Sequence, residues 1–263
     1  MSPVMQGICD DLQAETDALG EVVSGITEEQ WRLPTPAQGW DSRETMVHLG
    51  MTDWVATVAV VDPDGFAGFT AAAARGEMDL HTAAGFDFAS MSGAEIWDWL
   101  RTERAKMVAA VRPLDPKDRI PWFGPSMGAL SFVTARLMET WSHGHDVADT
   151  HGRELPRTDR LRHVAHIGVS TRGWSYANRG LEVPAGPVRV ELGAPSGAVW
   201  TWGPEDAADK VSGDAYEFCL AVTQRRHHIE TGLSIKGSLA LAWMDIAQAF
   251  AGPPTDTQHR RAA

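Results

Sequence analysis

The chain contains Glu139-Thr-Trp-Ser-His143-Gly-His-Asp146, within a segment whose apolar spacing predicts a long helix from about Ser131 to Asp149. A carboxylate and an imidazole four residues apart lie on one face of a helix, one turn apart. Such a pair can offer a metal ion one oxygen and one nitrogen, and His48, on an earlier predicted helix, could offer a second nitrogen. Two histidines and one glutamate leave a coordination position open for chemistry. The stretch therefore indicates a kind of site, without identifying the molecule that is processed.

Three further long helices are predicted before this one. The first carries apolar residues at helical spacing from Met5 to Ile26. The second and third each begin with the spacing of a capping box, at Asp41 with Glu44 and at Ser92 with Glu95. Four long helices predict a four-helix bundle, in which metal sites are built from inward-facing side chains on neighbouring helices.

The helical wheel of the fourth helix leaves two interpretations open. Glu139 and His143 share a stripe opposite an apolar side that contains Leu137 and Trp141. A pair in this position is most often a solvated surface pair. His48, in contrast, points toward the apolar side of its own helix. The two observations fit together if the stripe faces a polar central cavity that His48 also reaches, with Trp141 packing outward.

The pattern changes after residue 150. A predicted helix from Asp159 to Asn178 is followed by two alternating strands, at 188–192 and 199–202, and then by a helix capped by Asp214. A short strand near 233–236 and a last amphipathic helix complete a pattern of mixed helices and strands. This part of the chain is therefore predicted to form a small α+β domain.

The length of the chain, 263 residues, suits two domains better than one. The expected fold class is α+β, a helical bundle followed by a small mixed domain. The predicted boundaries are 1–152 for the metal-binding bundle and 158–254 for the α+β domain, with a disordered polar tail at 255–263.

Composition limits the classes of partner. A net charge of −12 argues against nucleic acid and anionic membrane surfaces, which need clustered Lys and Arg. The longest apolar run, 54–61, is far shorter than the roughly 20 residues of a membrane span, and no export signal is visible. Cys9 and Cys219 are expected to be free thiols in a reducing cytoplasm. We expect a cytoplasmic monomer or homodimer that acts on a small molecule.

Several aromatic and basic residues are candidates for ligand contacts. The chain has 11 Trp, most of which are expected in the core. Trp40, Trp54 and Trp122 could frame a pocket for a flat or unsaturated ligand. Arg225 and Arg226, which precede two histidines, could end a helix or anchor an anionic substrate. The sequence has no phosphate-cradling Gly loop, no G-x-S-x-G and no C-x-x-C motif.

Several longer pieces of the chain resemble the DinB-like metal-binding proteins, and within them the mycothiol-dependent maleylpyruvate isomerase group of actinobacteria. The pieces are the turn 35–40 with the following Met46-Val-His48-Leu, the helix 136–147, and the segments 161–167, 200–206 and 243–253. The resemblance covers nearly the whole chain. It is strongest to a subgroup described only as metal-binding.

The resemblance implies a DinB-like four-helix bundle followed by a small sterol-carrier-like α+β domain. The metal triad of the family maps onto His48, Glu139 and His143. Family isomerases also use an arginine of the C-terminal domain, for which Arg225 and Arg226 are candidates by location. The family cosubstrate is mycothiol, a low-molecular-weight thiol.

The residues and the resemblance together predict a divalent-metal enzyme, with zinc as the expected ion, that activates such a thiol. The thiol would serve isomerisation of an unsaturated substrate or S-transfer to an electrophile, and Asp146 would orient a group that binds the metal. Two alternatives stay open. One is a hydrolase whose metal activates water, and the other is a non-catalytic, metal-stabilised module that binds a ligand.

Overall fold

The structure is a computed structural model that describes residues 2–77 and 85–255. Its internal contacts divide the chain into two compact units, Met1–Glu154 and Leu155–Ala263. The described part of the first unit is almost entirely helical, and the second unit combines a sheet with short helices. The α+β class predicted from the sequence is confirmed.

The described part of the first unit has six helices and a two-stranded hairpin. In chain order these are α1 (Pro3–Val23), α2 (Glu28–Trp31), α3 (Ser42–Val61), α4 (Pro63–Ala74), α5 (Gly93–Val111), β1 (Arg119–Ile120), β2 (Met127–Gly128) and α6 (Ala129–Thr150). The antiparallel hairpin β1–β2 leads directly into α6.

The four long helices α1, α3, α5 and α6 form the predicted bundle. Helix α3 packs along α5, and α1 packs along α6. Their inward faces bury large apolar side chains, each of which contributes roughly 1.5–3 kcal/mol by leaving water. The fully buried residues among them include Met5, Leu12, Leu19, Met46, Leu49, Ile96, Leu100 and Met107.

Capping boxes fix where two of these helices begin, as the sequence predicts. At the start of α3, Asp41 accepts from the backbone N–H of Glu44 at 2.7 Å, and the Glu44 carboxylate accepts from the N–H of Asp41 at 2.8 Å. Ser92 and Glu95 form the same reciprocal pair before α5. Each box satisfies N–H groups that a helix start leaves without partners, and the first determines the position of His48 along α3.

The second unit contains a four-stranded sheet and four short α-helices among its described residues. Its elements are α7 (Leu161–Ser170), α8 (Arg172–Ala177), β3 (Val188–Gly193), β4 (Val199–Trp202), β5 (Asp209–Asp214), α9 (Ala215–Val222), a 3₁₀ turn (His228–Glu230), β6 (Ser234–Lys236) and α10 (Ser238–Met244). The strand order is β4-β3-β5-β6. Strands β3 and β5 are parallel, with Val190 opposite Val211, and the outer pairs are antiparallel.

Two features of the second unit differ from the sequence prediction. Strand β5 was not predicted, because Asp209-Lys-Val-Ser-Gly-Asp214 has a single apolar residue, and its strand conformation comes from pairing with β3. The helix predicted from Asp159 to Asn178 is interrupted at Thr171, which separates α7 from α8. The Thr171 hydroxyl donates to the carbonyl of Ile167 at 2.8 Å, a local bond of the kind that competes with regular helix continuation.

Most of the tail predicted to be disordered, from residue 256 onward, lies outside the described residues. No helix within residues 2–77 and 85–255 combines the length and the hydropathy that a membrane span requires.

Candidate metal centre

Three potential metal ligands converge in the first unit. His48 on α3 and the Glu139–His143 pair on α6 place their ligand atoms within 4.8 Å of one another. The Glu139 Oε2 atom lies 3.5 Å from His48 Nε2 and 3.4 Å from His143 Nε2. The capping box of α3 and the four-residue spacing on α6 therefore bring together the three residues that the sequence predicts.

Asp146 orients the His143 ring from behind. Its Oδ2 atom lies 3.1 Å from His143 Nδ1, and the Asp146 side chain is almost completely buried. An ionised carboxylate can only accept hydrogen bonds, so His143 carries a proton on Nδ1, and in its neutral form the lone pair of Nε2 faces Glu139. The contact suggested for Asp146 by the sequence is present, and it selects the tautomer that a metal ligand needs.

Trp40 covers the two histidines. Its ring centroid lies 4.7 Å from that of His48 and 5.4 Å from that of His143. The indole comes from the turn that precedes α3, where the Thr35 hydroxyl donates to the carbonyl of Trp40 at 3.0 Å. This apolar wall limits the access of water to one side of the cluster.

The electrostatics favour the charge states that bind a cation. Burial lowers the pKa of His48, although the hydrogen bond with Glu139 opposes this change. Burial raises the pKa of Glu139, but hydrogen bonds with His143 and His48 outweigh that effect and hold the pKa well below its ordinary value. The cluster is therefore biased toward a carboxylate and a neutral His48 imidazole.

The arrangement fits a divalent metal ion. Neutral His143 uses its single ring proton, on Nδ1, in the contact with Asp146, so its Nε2 lone pair and a carboxylate oxygen face each other at 3.4 Å. Two acceptors at this distance repel unless a proton or a metal ion lies between them, and a metal ion would replace the proton of the hydrogen bond between His143 and Glu139. Separations of 3.4 and 3.5 Å are close to those of neighbouring ligands around a tetrahedral ion with bonds of about 2.0–2.1 Å. His48, Glu139 and His143 would hold such an ion.

A cavity of about 610 Å³ opens beside His48. Its wall comes from the turn before α3, one face of α3 and the segment 86–89. The described lining includes Trp40, Arg43, Val47, His48, Met51, Phe86 and Phe88. The volume lies in the range of small-molecule sites, and a mostly apolar wall with a few polar groups is typical of them.

A network of charged residues lies in the bundle core beside the cluster. Asp53 is fully buried and accepts from Arg104 Nε at 2.6 Å and from Arg136 Nε at 3.2 Å. Arg104 also donates to the hydroxyls of Thr16 at 2.6 Å and Thr140 at 2.9 Å. Because Thr16, Asp53, Arg104 and Thr140 lie on α1, α3, α5 and α6, one guanidinium joins all four long helices.

The structure corrects one interpretation of α6. The solvated surface pair, one of the two alternatives for Glu139 and His143, is wrong, because His143 and Asp146 are buried. The stripe faces the polar interior, where His48 also lies. Trp141, on the opposite side, is buried as well, with its ring 5.7 Å from that of His145.

Sequence reasoning missed the role of Asp53 and Arg104. A signal was present, because Arg104 lies on the same helical stripe as Leu100 and Met107 and therefore points into the bundle. A charged residue at such a position predicts a buried partner.

Two predicted tryptophans lie elsewhere. Trp54 is half-buried on α3 and is not among the described residues that line the cavity. Trp122 belongs to an aromatic cluster, with its ring centroid 6.0 Å from Phe66 and 4.9 Å from Phe132. A ligand-binding role for Trp54 and Trp122 stays a prediction.

The two candidate arginines lie in the second unit, just after α9. Arg225 is half-buried and donates to the carbonyl of Thr223 at 2.8 Å. Arg226 is exposed and lines a small cavity of that unit. A role of either side chain in substrate binding stays a prediction.

Comparison with known proteins agrees with this picture. The family model described as mycothiol maleylpyruvate isomerase N-terminal domain matches residues 12–148, more than half of the chain. A second model, described as wyosine base formation, matches residues 184–231. The first match includes all three candidate ligands and Asp146.

Relatives and solved structures extend the likeness along the chain. Two proteins described as uncharacterized, from two strains of Mycobacterium tuberculosis, are each 45% identical over 245 residues, which is 93% of this chain and 95% of theirs. Crystal structures of a mycothiol-dependent maleylpyruvate isomerase and of a mutant of it have TM-scores of 0.56 and 0.54. Each covers 97% of this chain and 100% of the other, at 13% and 14% identity, which shows the fold alone. The resemblance seen in the sequence is confirmed, and the chain belongs to the mycothiol maleylpyruvate isomerase N-terminal domain family.

Proposed function

We propose that this protein is a metal-dependent enzyme that uses a low-molecular-weight thiol, mycothiol, as its cosubstrate. The reaction we propose is isomerisation of a small unsaturated acid of the maleylpyruvate type. In it, the thiol sulfur adds to a carbon–carbon double bond, the resulting single bond rotates, and the thiol leaves as the double bond re-forms. S-transfer to an electrophilic substrate is the closest variant, in which the sulfur stays on the product. Family membership and the convergence of His48, Glu139 and His143 beside a cavity carry this proposal.

His48, Glu139 and His143 are the proposed ligands of a divalent ion, with zinc as the expected one. When bound, the ion supplies Lewis acidity that lowers the pKa of a thiol from about 8.5 and so provides a nucleophilic sulfur at neutral pH. Neither cysteine of the chain supplies this sulfur in our proposal, because both are buried.

The other residues of the site orient the metal ligands, shield them from water and contact the substrate. Asp146 holds the proton on Nδ1 of His143 and so keeps Nε2 available. Trp40 shields both imidazoles from water on one face. Phe86, Phe88 and the α3 side chains of the cavity wall supply apolar contacts for an unsaturated substrate. We propose that Arg225 or Arg226 binds the carboxylate of the substrate and call this role the clamp, since an arginine pairs with a carboxylate through two parallel hydrogen bonds.

The cavity favours an enzyme over a purely structural metal site. Structural zinc sites are closed by four protein ligands, whereas catalytic sites keep one position open. Here a cavity of about 610 Å³ lies beside the candidate ligands, and His48 forms part of its wall. A hydrolase would use the same ligands to activate water, so the need for a thiol is the observation that separates the two enzymes.

The test is an assay of metal-loaded enzyme with maleylpyruvate and other small unsaturated acids, with and without mycothiol. We expect turnover only when the thiol is present, and loss of turnover when a chelator removes the metal. Equal rates with and without thiol would favour the hydrolase, and no turnover of any substrate with a full metal site would favour the ligand-binding module. Replacing Arg225 or Arg226 by Lys, one at a time, should raise KM for the acid if that arginine is the clamp.

We also propose a cytosolic location. Cys9 and Cys219 are both free thiols, which is typical of proteins in a reducing compartment. The protein is expected to act as a monomer or homodimer.

A further inference from the structure

A second group of metal-ligating side chains lies in the second unit, on elements other than those that carry His48, Glu139 and His143. His227, His228 and Asp245 place one ligand atom each within 4.8 Å of one another. His228 Nε2 lies 2.7 Å from Asp245 Oδ1, and the two imidazole centroids are 4.5 Å apart. The group combines two nitrogens and one oxygen, a donor set that suits first-row divalent metals better than Mg²⁺ or Ca²⁺.

The chain holds the two histidines in place through a strained turn. Gln224, two residues after α9, has a φ of 59°, the left-handed conformation that residues other than glycine rarely adopt. Its side chain is buried and donates to the carbonyls of Ala247 at 3.0 Å and Thr255 at 2.8 Å. Strained backbone of this kind persists only where surrounding contacts enforce it, and it is concentrated at functional sites. Here it directs His227 and His228 toward the segment that carries Asp245.

A small cavity adjoins these side chains. A cavity of about 10 Å³, enough for one water molecule or one ion, is lined by Gln224, Arg226, His227, His228, Met244 and Asp245. Arg226 is the positive group in this lining, but it is exposed, so water screens its charge. The Glu230 carboxylate accepts from the backbone N–H of His227 at 3.3 Å and adds a second negative charge close to the group.

The geometry leaves Asp245 accessible to an incoming ion. His227 Nδ1 accepts from the N–H of Ile229 at 3.3 Å, a long and therefore weak hydrogen bond that an ion taking this nitrogen would replace. His228 and Asp245 face each other across a 2.7 Å hydrogen bond, and they would separate to about 3.4 Å around a shared tetrahedral ion. Asp245 has room for this movement because half of its side chain is exposed.

We infer that His227, His228 and Asp245 form a second, independent binding site for a divalent transition-metal ion. The inference does not depend on the reaction proposed above, because none of these residues belongs to the candidate metal centre. The second site has a more exposed carboxylate and few enclosing side chains, so it should bind more weakly and exchange with free metal.

Zinc and cobalt titrations of the full-length protein test this inference. The metal-free protein should bind two equivalents of Zn²⁺ in calorimetry, one tightly and one weakly. Asp245→Asn, at an exposed position, should weaken only the second by at least tenfold, and the matched surface variant Asp206→Asn should leave both unchanged. Co²⁺ added to metal-free His143→Ala protein should give imidazole-dependent visible absorption that His227→Gln reduces.

Binding of a single equivalent that Asp245→Asn leaves unchanged would overturn the inference, because His228 and Asp245 would then form an ion pair only. Two equivalents that both persist in Asp245→Asn and in His227→Gln would overturn it as well. Circular dichroism of each variant separates loss of metal from loss of fold. Turnover is not part of this test, so its outcome is independent of the outcome for the proposed thiol-dependent reaction.

Discussion

The two histidine–carboxylate groups of this molecule are held in different ways. The group of the first unit is carried by two long helices, covered by Trp40 and oriented by buried Asp146. The group of the second unit is carried by a turn, and its carboxylate, Asp245, is half exposed. Side chains that are fixed before an ion arrives lose less entropy when it binds. The comparison leads us to expect that similar ligands bind an ion tightly where buried helices hold them and weakly where a turn holds them.

The largest effect should come from removing one ligand of the first group. His143→Ala is expected to lower the metal content of the purified protein from about one ion per chain to near zero, because two ligands bind far more weakly than three. Alanine favours helix, so α6 should stay folded. Elemental analysis after purification measures the loss. The control is His145→Ala, on the same helix but outside the group, which should keep its metal, and full metal content in His143→Ala would refute the assignment.

The second prediction tests how much the buried charges beside the first group stabilise the fold. Asp53→Asn leaves the guanidiniums of Arg104 and Arg136 buried without their carboxylate, and it should lower the free energy of unfolding by about 3–5 kcal/mol. The matched control is Asp10→Asn, whose exposed carboxylate pairs with Arg112 at 2.7 Å. That change should cost at most about 1 kcal/mol. Urea denaturation followed by far-UV circular dichroism measures both, and equal losses would show that burial of the network contributes nothing.

The third prediction concerns the residue behind His143. Asp146→Asn removes the charge that fixes the ring, and metal affinity should fall roughly 10–100-fold while the ligands remain. Asp149→Asn is the control, because Asp149 also lies near a histidine of α6, at 3.3 Å from His145 Nδ1, but outside the group. Competition with a chelator of known affinity gives the metal dissociation constant of each variant. A smaller loss in Asp146→Asn than in Asp149→Asn would contradict the role assigned to Asp146.

The smallest effect is expected at the second group, in the absence of metal. Asp245→Asn should change the free energy of unfolding by no more than about 1 kcal/mol, because water screens the half-exposed Asp245 carboxylate and its contact with His228 stabilises the fold little. The measurement is urea denaturation of the metal-free protein. A loss as large as that of Asp53→Asn would mean that the contact with His228 holds the second unit together, and the contrast between the two groups would disappear.

The sequence was sufficient to predict what depends on local spacing. Glu139 and His143 are four residues apart on one helix, and the capping box at Asp41 marks the start of the helix that carries His48. These short-range rules also predict the long helices of the bundle. The contact of Asp146 with His143 follows from the same geometry, since residues three apart lie on one helix face.

What could not be predicted depends on contacts between distant parts of the chain. Strand β5 has one apolar residue and is a strand because it pairs with β3. Phe88 reaches the cavity because Arg43 donates to its carbonyl at 2.8 Å, and no local pattern links residues 45 positions apart. The partners of Arg104 come from three other helices, and the sequence shows only that a charged residue lies among apolar ones.

The position of Arg104 has a consequence for how the bundle is assembled. Its hydrogen bonds reach Thr16, Asp53 and Thr140, so they are complete only when all four long helices have docked. A partial bundle would have to remove this guanidinium from water before its last partner on α6 is present, at a cost of several kcal/mol. We therefore expect the four helices to form one cooperative unit, whose slowest amide protons exchange together rather than helix by helix. During synthesis, a stable bundle would have to wait until residue 140 has left the ribosome.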